Sequence, residues 1–270
     1  MTPVRPEFVP TADRDHEEMA ALQRRVAEDA VFVDDLPFDP ATVSLAETPP
    51  VTGGQRPLVA GVDQAFLDDR AVSAVVVLRG GEVVERTYAV SETAIPYVPG
   101  LLSFREGGPI LDAVATLSVE PNLFVFDGSG RLHFRQAGLA THLGVTLDAP
   151  AIGVAKSLLC GTPAESTADR PEGWLTPIRV ADGDDVDAPP GTVVGHAYQS
   201  RQWDRPQSIN PLFVSPGHRV GADTAVDLVA SLCDGRKLPE PTRLADDYAE
   251  TGKREVVEGE TETGTGTDAG

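Results

Sequence analysis

Beyond residue 57 the chain passes through three stretches in which β-branched and other apolar residues dominate. These stretches are residues 58–66 (LVAGVDQAF), 71–78 (AVSAVVVL) and 83–90 (VVERTYAV). Turn-forming residues separate them, with two aspartates and an arginine at 68–70 and two glycines at 80–81. Connections this short join antiparallel neighbours, so the pattern predicts a three-stranded antiparallel unit.

Farther along, helical and strand patterns alternate. Short apolar runs predict strands over Asn122–Phe126, Ala151–Ala155, Thr192–Tyr198 and Pro211–Val214. Apolar residues at helical spacing predict helices over Pro109–Leu117, Gln136–Leu147 and Asp223–Cys233. Three antiparallel strands followed by alternating helix and strand are typical of a ribonuclease H-like α/β fold, a mixed sheet flanked by helices.

The two ends of the chain differ from this central part. Residues 13–29 predict an amphipathic helix, which a loop over residues 34–57 connects to the sheet. The last twenty residues are mostly Gly, Thr and Glu, with little to bury, which is typical of disorder. We therefore expect an N-terminal helix and loop (1–56), a main domain that carries the chemistry (57–248) and a disordered acidic tail (249–270). Within the main domain, residues 161–191 predict a surface loop.

The net charge changes what can be concluded about partners. The 270 residues include 42 acids and 22 bases, a formal charge of −20, and lysine occurs only at positions 156, 237 and 253. This composition indicates a protein from a high-salt cytoplasm, where roughly 1 M salt screens self-repulsion within about 3 Å. An acidic protein that binds cationic partners is the alternative. Acidity normally argues against nucleic-acid binding, but molar salt weakens phosphate contacts anyway, so global charge excludes neither class.

Other features place the protein in the cytoplasm. Cys160 and Cys233 lack metal-ligand spacing and are predicted to be free thiols in a reducing compartment. No apolar run reaches the roughly 18 residues of a membrane span, and the N-terminus lacks a signal-peptide pattern. We expect no membrane association.

Three acids lie where burying a carboxylate is costly or where the carboxylate would be turned toward the edge of the sheet. Asp63 lies inside an apolar strand, Asp127 closes another before Gly128, and Glu106 directly precedes the predicted helix at Pro109. Parallel neighbouring strands would bring Asp63 and Asp127 to one edge. Clustered carboxylates need a cation, and oxygen ligands suit Mg²⁺ or Mn²⁺, which can activate water. Taken singly, each acid could instead be a satisfied buried group, a helix-start acid or a turn aspartate.

Three further side chains suggest contact with a substrate. Tyr97 is held between Pro96 and Pro99, which would project its ring from the chain. His218 follows a Pro-Gly turn and could orient water or assist a metal, although a surface histidine fits the same pattern. Lys156 ends a strand in a chain that avoids lysine, which favours contact with a phosphate or carboxylate over a plain surface role.

These residues lie in six ordered motifs and a closing stretch that together resemble endonuclease V, a family of repair nucleases for deaminated purines. The motifs span roughly residues 57–245. They are LVAGVD (58–63), PYVPGLLSFRE (96–106), VFDGSG (125–130), GLATHLGV (138–145), IGVAKSLLCG (152–161) and VSPGHR (214–219), followed by LPEPTRLAD (238–246).

The resemblance implies a ribonuclease H-like fold and Mg²⁺-dependent hydrolysis, with Mn²⁺ as a substitute. The second phosphodiester bond 3′ to a hypoxanthine would be cut, leaving 3′-hydroxyl and 5′-phosphate ends. It assigns metal binding to Asp63 and Asp127, and catalysis to these two with Glu106 and His218. Tyr97 would be the wedge that separates the strands. The pocket for the extruded base would comprise Leu102, Gly128, Gly138 and Leu139, and His133 and Lys156 would contact DNA. Extrusion costs a few kcal/mol, less for a poorly paired base.

The chain also departs from the family pattern. Ser129 stands where the family commonly has histidine, and Phe134 follows His133 where proline is common. The implied partner is DNA containing deoxyinosine, with no obligate protein partner. Two alternatives stay open: an inosine-specific ribonuclease of the same family, and a binding module with an inactive site, against which the intact acids argue.

Overall fold

The computed structural model describes residues 1–46, 55–93, 95–203 and 209–264. Within these ranges, nine strands form one sheet in the order β3-β2-β1-β4-β5-β9-β8-β7-β6. The strands are β1 (Leu58–Leu67), β2 (Arg70–Arg79), β3 (Glu82–Glu92), β4 (Leu123–Asp127), β5 (Ala151–Ala155), β6 (Thr162–Pro163), β7 (Leu175–Arg179), β8 (Val193–Tyr198) and β9 (Leu212–His218). β1, β4 and β5 pair in parallel and the other pairs are antiparallel, which confirms the predicted mixed sheet.

Helices cover both faces of the sheet. They are α1 (His16–Asp29), α2 (Leu102–Ala115), α3 (Leu139–Leu147), α4 (Ala222–Cys233) and α5 (Glu240–Gly264), with two 3₁₀ turns at Pro6–Phe8 and Pro40–Thr42. Side chains alternate across a strand, so each central strand serves both faces. On one face Val62 and Phe126 pack against α2 and α3. On the other, Val125 packs against α4, and Gly61 lies against Pro241 of α5.

Helix α2 begins at Leu102, seven residues before the predicted start at Pro109. Glu106 therefore lies inside the helix, and the prediction that it precedes a helix is wrong. The residues ahead of Pro109 are helical because tertiary packing outweighs the weak local signal of two glycines and a proline. Phe104 is fully buried, and a Cβ on Gly107 would lie 2.6 Å from Pro10 Cγ. Gly107 thus permits close packing and does not break the helix.

Two other predicted boundaries were wrong. Helix α3 begins at Leu139 and not at Gln136, because Gln136 has a left-handed backbone (φ 52°) that cannot start a right-handed helix. The predicted loop over 161–191 contains β6 and β7, which extend the sheet at its far edge. β7 contains Pro177, and a proline within an apolar run argues against a strand, which is why the sequence did not predict β7.

The prediction of disorder from residue 249 onward was also wrong as far as residue 264, because α5 continues to Gly264. Its continuation lies across β2 and β3, where Gly252 approaches Val72 and Tyr88. The Tyr88 hydroxyl donates to Glu255 at 2.7 Å, and Arg70 pairs with Glu260 at 2.6 Å. A tail with few apolar residues thus becomes ordered against the sheet, with Ala249 packed beside Ala65 and Ala74. Residues 265–270 lie outside the described residues.

The N-terminal helix shares a core with the main body. Met19, Leu22 and Val26 of α1 pack with Leu101 and Phe104, in a cluster that also includes Phe8, Ala137 and Val145. Asp15 and Glu18 cap the start of α1 reciprocally. Part of the predicted connecting loop, residues 47–54, lies outside the described residues. Among the described helices, none is both long and apolar enough to cross a membrane.

Candidate functional site

A cavity of about 380 Å³ opens where the parallel strands β1, β4 and β5 end. Carboxyl ends of parallel strands are the usual ligand-binding edge of α/β sheets. Four acids line this cavity: Asp63, Glu106, Asp127 and Asp246. Three of them were predicted as a cluster from the sequence, and the structure brings those three together.

Asp63 and Asp127 lie on neighbouring strands in register, directly after the pair Val62 and Phe126. The Lys156 ammonium contacts Asp127 Oδ2 at 2.5 Å, so Lys156 lies inside the acid cluster. Asp63 Oδ1 accepts from the backbone N–H of Gln64, while Asp63 Oδ2 is buried without a hydrogen-bond partner among the described residues. Burial, and next the charge of Asp127, raise the pKa of Asp63 to about 8.

Glu106 projects into the same cavity from the second turn of α2 and is 8% exposed. Burial raises the pKa of Glu106 to about 7, against the opposing effect of Arg105 and with a further contribution from Asp127. A carboxyl group whose pKa lies near neutrality can exchange a proton at physiological pH.

The sequence interpretation missed Asp246. This acid lies on α5, five residues after Pro241, which is in close contact with Gly61 of β1. Its charge contributes to the raised pKa of Asp63, so it lies near the β1–β4 pair. A signal existed, since the matched stretch 238–246 ends on this residue, but only the packing of α5 on β1 shows where it lies.

The donor set fits a hydrated divalent cation. Asp63 Oδ2 and Gln64 Oε1 are both buried acceptors at the cavity that lack partners among the described residues. Within those residues no three acid, histidine or cysteine side chains converge into a closed metal cage. Mg²⁺ commonly binds through one or two carboxylates and retains water, so an open site of this kind suits it.

His218 lies outside the cavity, so its predicted place beside the acids is wrong. It ends β9 opposite Ala151, the first residue of β5, three residues before the Val154–Asp127 pair. That separation is roughly 10 Å along the strand. The ring is 2% exposed, with Nδ1 accepting from Val31 N and Nε2 contacting Asp148 Oδ1, both at 3.2 Å. Burial lowers the pKa of His218. A strand that continues past the Pro-Gly pair, in place of the expected turn, carries His218 away.

His133 lines the cavity but is not free to contact DNA as predicted. Nδ1 accepts from Arg135 N at 3.1 Å, so Nε2 carries the proton and donates to the Gly100 carbonyl at 3.1 Å. Burial lowers the pKa of His133 to about 4, which keeps the ring neutral. With both ring nitrogens occupied, His133 fixes the turn that follows Tyr97.

The residues expected to hold a base surround the same cavity. Leu102, Gly128, Gly138 and Leu139 all line it, with Ser129 beside them. Gly128 has φ 150°, and a Cβ there would lie 3.2 Å from Leu139 Cδ2, so a side chain would be strained and would narrow the space. Tyr97 stands at the cavity with its side chain 64% exposed. The exposed ring, the acid cluster and a partly apolar wall therefore border one cavity.

Comparison with known proteins bears on this arrangement. The family model for Endonuclease V matches residues 42–247. Proteins named Endonuclease V from two halophilic archaea, Haloarcula marismortui and Halobacterium salinarum, are 55% and 53% identical. The matches cover 94% and 92% of this chain, and 98% of each relative.

Solved structures agree. Endonuclease V from Streptomyces avermitilis is 34% identical with a TM-score of 0.73, over 95% of this chain and 100% of that one. The catalytic domain of human Endonuclease V is 31% identical with a TM-score of 0.72, over 91% and 99%. Ciona intestinalis Endonuclease V, in complex with DNA containing an inosine followed by a ribo-adenosine, is 25% identical with a TM-score of 0.68, over 89% and 98%. From the matched family model and these relatives, the chain belongs to the endonuclease V family.

Proposed function

We propose that this protein is a DNA repair endonuclease that recognises deoxyinosine and hydrolyses the second phosphodiester bond 3′ to it. The products would carry 3′-hydroxyl and 5′-phosphate ends. The observation that carries the proposal is the contiguity of the acid cluster with a cavity large enough for a purine, beside the exposed ring of Tyr97. The inosine-containing DNA bound by the Ciona relative supports the choice of substrate.

The chain's own groups define what each region would do. Asp63 and Asp127 would hold Mg²⁺, or Mn²⁺ in its place, with Asp246 contributing negative charge beside them. The bound cation would supply Lewis-acid stabilisation of the phosphate and activate water. Glu106 would accept a proton from the attacking water, and Lys156 would leave Asp127 to contact a substrate phosphate. Tyr97 would fill the space left by the extruded nucleotide.

An inosine-directed ribonuclease is the second candidate. The Ciona complex has a ribo-adenosine directly after the inosine, so a member of this family holds a ribonucleotide at that position. A contact to its 2′-hydroxyl would favour RNA.

The deciding experiment incubates the protein with inosine DNA, undamaged DNA and matched inosine RNA. Each is tested in high KCl with Mg²⁺, Mn²⁺ or a chelator, and products are mapped on denaturing gels. We expect cation-dependent nicking of inosine DNA one nucleotide beyond the lesion. Faster cleavage of RNA would make the ribonuclease the principal activity, and no cleavage of either by folded protein would overturn the proposal.

A further inference from the structure

Helix α1 lies outside the matched family region, yet one of its side chains reaches the cavity. The family model begins at residue 42, whereas Gln23 lines the cavity and is completely buried. Burying an amide is costly unless its donors and acceptor find partners. The partners of Gln23 therefore indicate what the burial achieves.

All of the partners of Gln23 belong to two segments that bound the cavity. Its Nε2 donates to the Gly100 carbonyl at 2.9 Å and approaches the Ala137 carbonyl at 3.4 Å. Its Oε1 accepts from Arg135 Nη1 at 3.1 Å. Gly100 ends the turn that carries Tyr97, while Arg135 and Ala137 belong to the segment that leads into α3. One amide thus bridges the two walls.

Gly100 is held twice. Its carbonyl accepts from Gln23 and from the neutral ring of His133, so two donors fix one oxygen. Gly100 has a left-handed backbone (φ 80°), which is the conformation by which the turn reverses toward Leu101 and Leu102. Fixing this carbonyl fixes the orientation of the next peptide groups, those leading to Leu102 at the cavity wall.

We propose that Gln23 is a positioning residue that sets the separation between the Tyr97–Gly100 turn and the Ala137–Leu139 segment, and thereby the selectivity for the extruded base. The inference rests on the proposed function, because it concerns how that cavity distinguishes a deaminated purine from a normal one. A base enters between these walls, so a looser separation admits normal purines and weakens the preference for inosine.

Helix α1 itself is held by other contacts, which makes Gln23 separable from folding. Met19, Leu22 and Val26 pack into the cluster with Phe104 and Val145. Gln23→Met keeps the length of the side chain and removes its hydrogen bonds. Leu22→Ala loosens the same helix by leaving a space in that cluster, while the Gln23 amide stays in place.

The experiment measures kcat/KM for inosine DNA and for the matched undamaged DNA in wild type and both variants, together with thermal stability. We expect Gln23→Met to reduce the ratio of the two kcat/KM values by about tenfold, as one lost hydrogen-bonded constraint would. Leu22→Ala should lower Tm by at least as much as Gln23→Met does. It should leave the ratio of the two kcat/KM values within about twofold of the wild-type ratio. Gln23→Asn, which keeps the amide but shortens its reach, should behave as Gln23→Met and serves if that variant does not fold.

The inference would be overturned if the folded Gln23 variant kept the wild-type ratio of kcat/KM values for inosine and undamaged DNA. It would also be overturned if Leu22→Ala lowered that ratio as much as the Gln23 variant does. Wild-type protein that does not cleave inosine DNA, or does not prefer it, would overturn the proposed function instead. The wild-type measurement therefore separates the two failures.

Discussion

At the scale of single residues, the predicted acids line the cavity, whereas both ring nitrogens of each predicted histidine contact other groups of the protein. Asp63, Glu106 and Asp127 meet in one cavity, where burial and mutual repulsion raise the pKa values of Asp63 and Glu106. The ring nitrogens of His133 and His218 instead form hydrogen bonds with other groups of the protein. A histidine in a motif does not by itself indicate catalysis, since neutral imidazole is also a good buried bridge between backbone segments.

A pair of variants tests this division. Asp127→Ala removes a proposed cation ligand, and we expect nicking of inosine DNA to fall by at least about 100-fold with lesion binding retained. His218→Asn should nick at close to the wild-type rate while unfolding at a lower temperature, because it loses the contacts of the ring with Val31 N and Asp148 Oδ1. Nicking rates and gel-shift binding would be measured side by side. Near-normal nicking by Asp127→Ala would remove this acid from the site, and abolished nicking in folded His218→Asn would restore the histidine.

The buried ring of His142 should make the stability of the folded protein depend on pH. Its ring is fully buried between Ser103 Oγ and the Phe8 carbonyl, and burial lowers the pKa of His142 to about 4 from 6.5. Between those values the unfolded chain binds a proton that the folded protein does not. The stabilising contribution of neutral His142 is therefore complete above pH 6.5 and falls as the pH drops toward 4, by up to about 3 kcal/mol.

The measurement compares urea unfolding of wild type and His142→Asn across this range. Asp63 and Glu106 have pKa values raised in the folded state and so act in the opposite sense, but they do so in both proteins. The difference between the two free energies of unfolding isolates His142, and we expect it to shrink as the pH falls. A difference that does not vary with pH would contradict the assignment.

At the scale of elements, the turn over residues 95–100 exposes Tyr97 as its prolines predicted, whereas helix α5 extends into a stretch predicted to be disordered. The turn presents Tyr97 exposed while Gly100 is fixed from behind by α1 and His133. We expect Tyr97→Ala to weaken binding to inosine DNA by about tenfold, the loss of one stacking contact, with cation affinity unchanged. Tyr97→Phe, which keeps the ring, is the matched control. Equal binding by Tyr97→Ala and wild type would exclude the wedge role.

Helix α5 is predicted to depend on a close approach at Gly252. A Cβ there would lie 3.0 Å from Val72 Cγ1 and 3.1 Å from the Tyr88 ring, whereas one at Gly259 meets nothing within 4 Å. Gly252→Leu should destabilise the protein by about 1–3 kcal/mol through overpacking. Gly259→Leu should leave stability unchanged or raise it by up to about 1 kcal/mol, since glycine disfavours helix. Thermal unfolding of both variants checks this, and equal Tm values would show that α5 does not pack here as described.

At the scale of the whole molecule, a formal charge of −20 acts on every equilibrium. Self-repulsion among the acids opposes folding, and salt screens it, with a Debye length of about 10 Å at 0.1 M and about 3 Å at 1 M. We expect the free energy of unfolding to rise as KCl increases over that range. A neutral osmolyte at matched osmolality is the control, and a stability that does not change with KCl would rule out charge repulsion as a major term.

The sequence by itself predicted the antiparallel unit of β1, β2 and β3, the mixed sheet and the three acids at its edge. Alternation and turn chemistry are local signals, and parallel strands place their carboxyl ends together without further information. Its six motifs also identified the family. The start of α2, the strands within 161–191 and the order of residues 249–264 were not accessible in this way, because tertiary packing there overrides weak local propensity.

Only the tertiary structure decided where Asp246, Gln23 and His218 lie relative to the site. Asp246 joins the acids because Gly61 lets α5 lie directly on β1, and Gln23 reaches the cavity because α1 packs beside α2 and α3. His218 leaves it because β9 continues through the Pro-Gly pair to the other end of β5. The position of each of these residues depends on a contact between segments far apart in the chain. No local sequence pattern encodes such a contact.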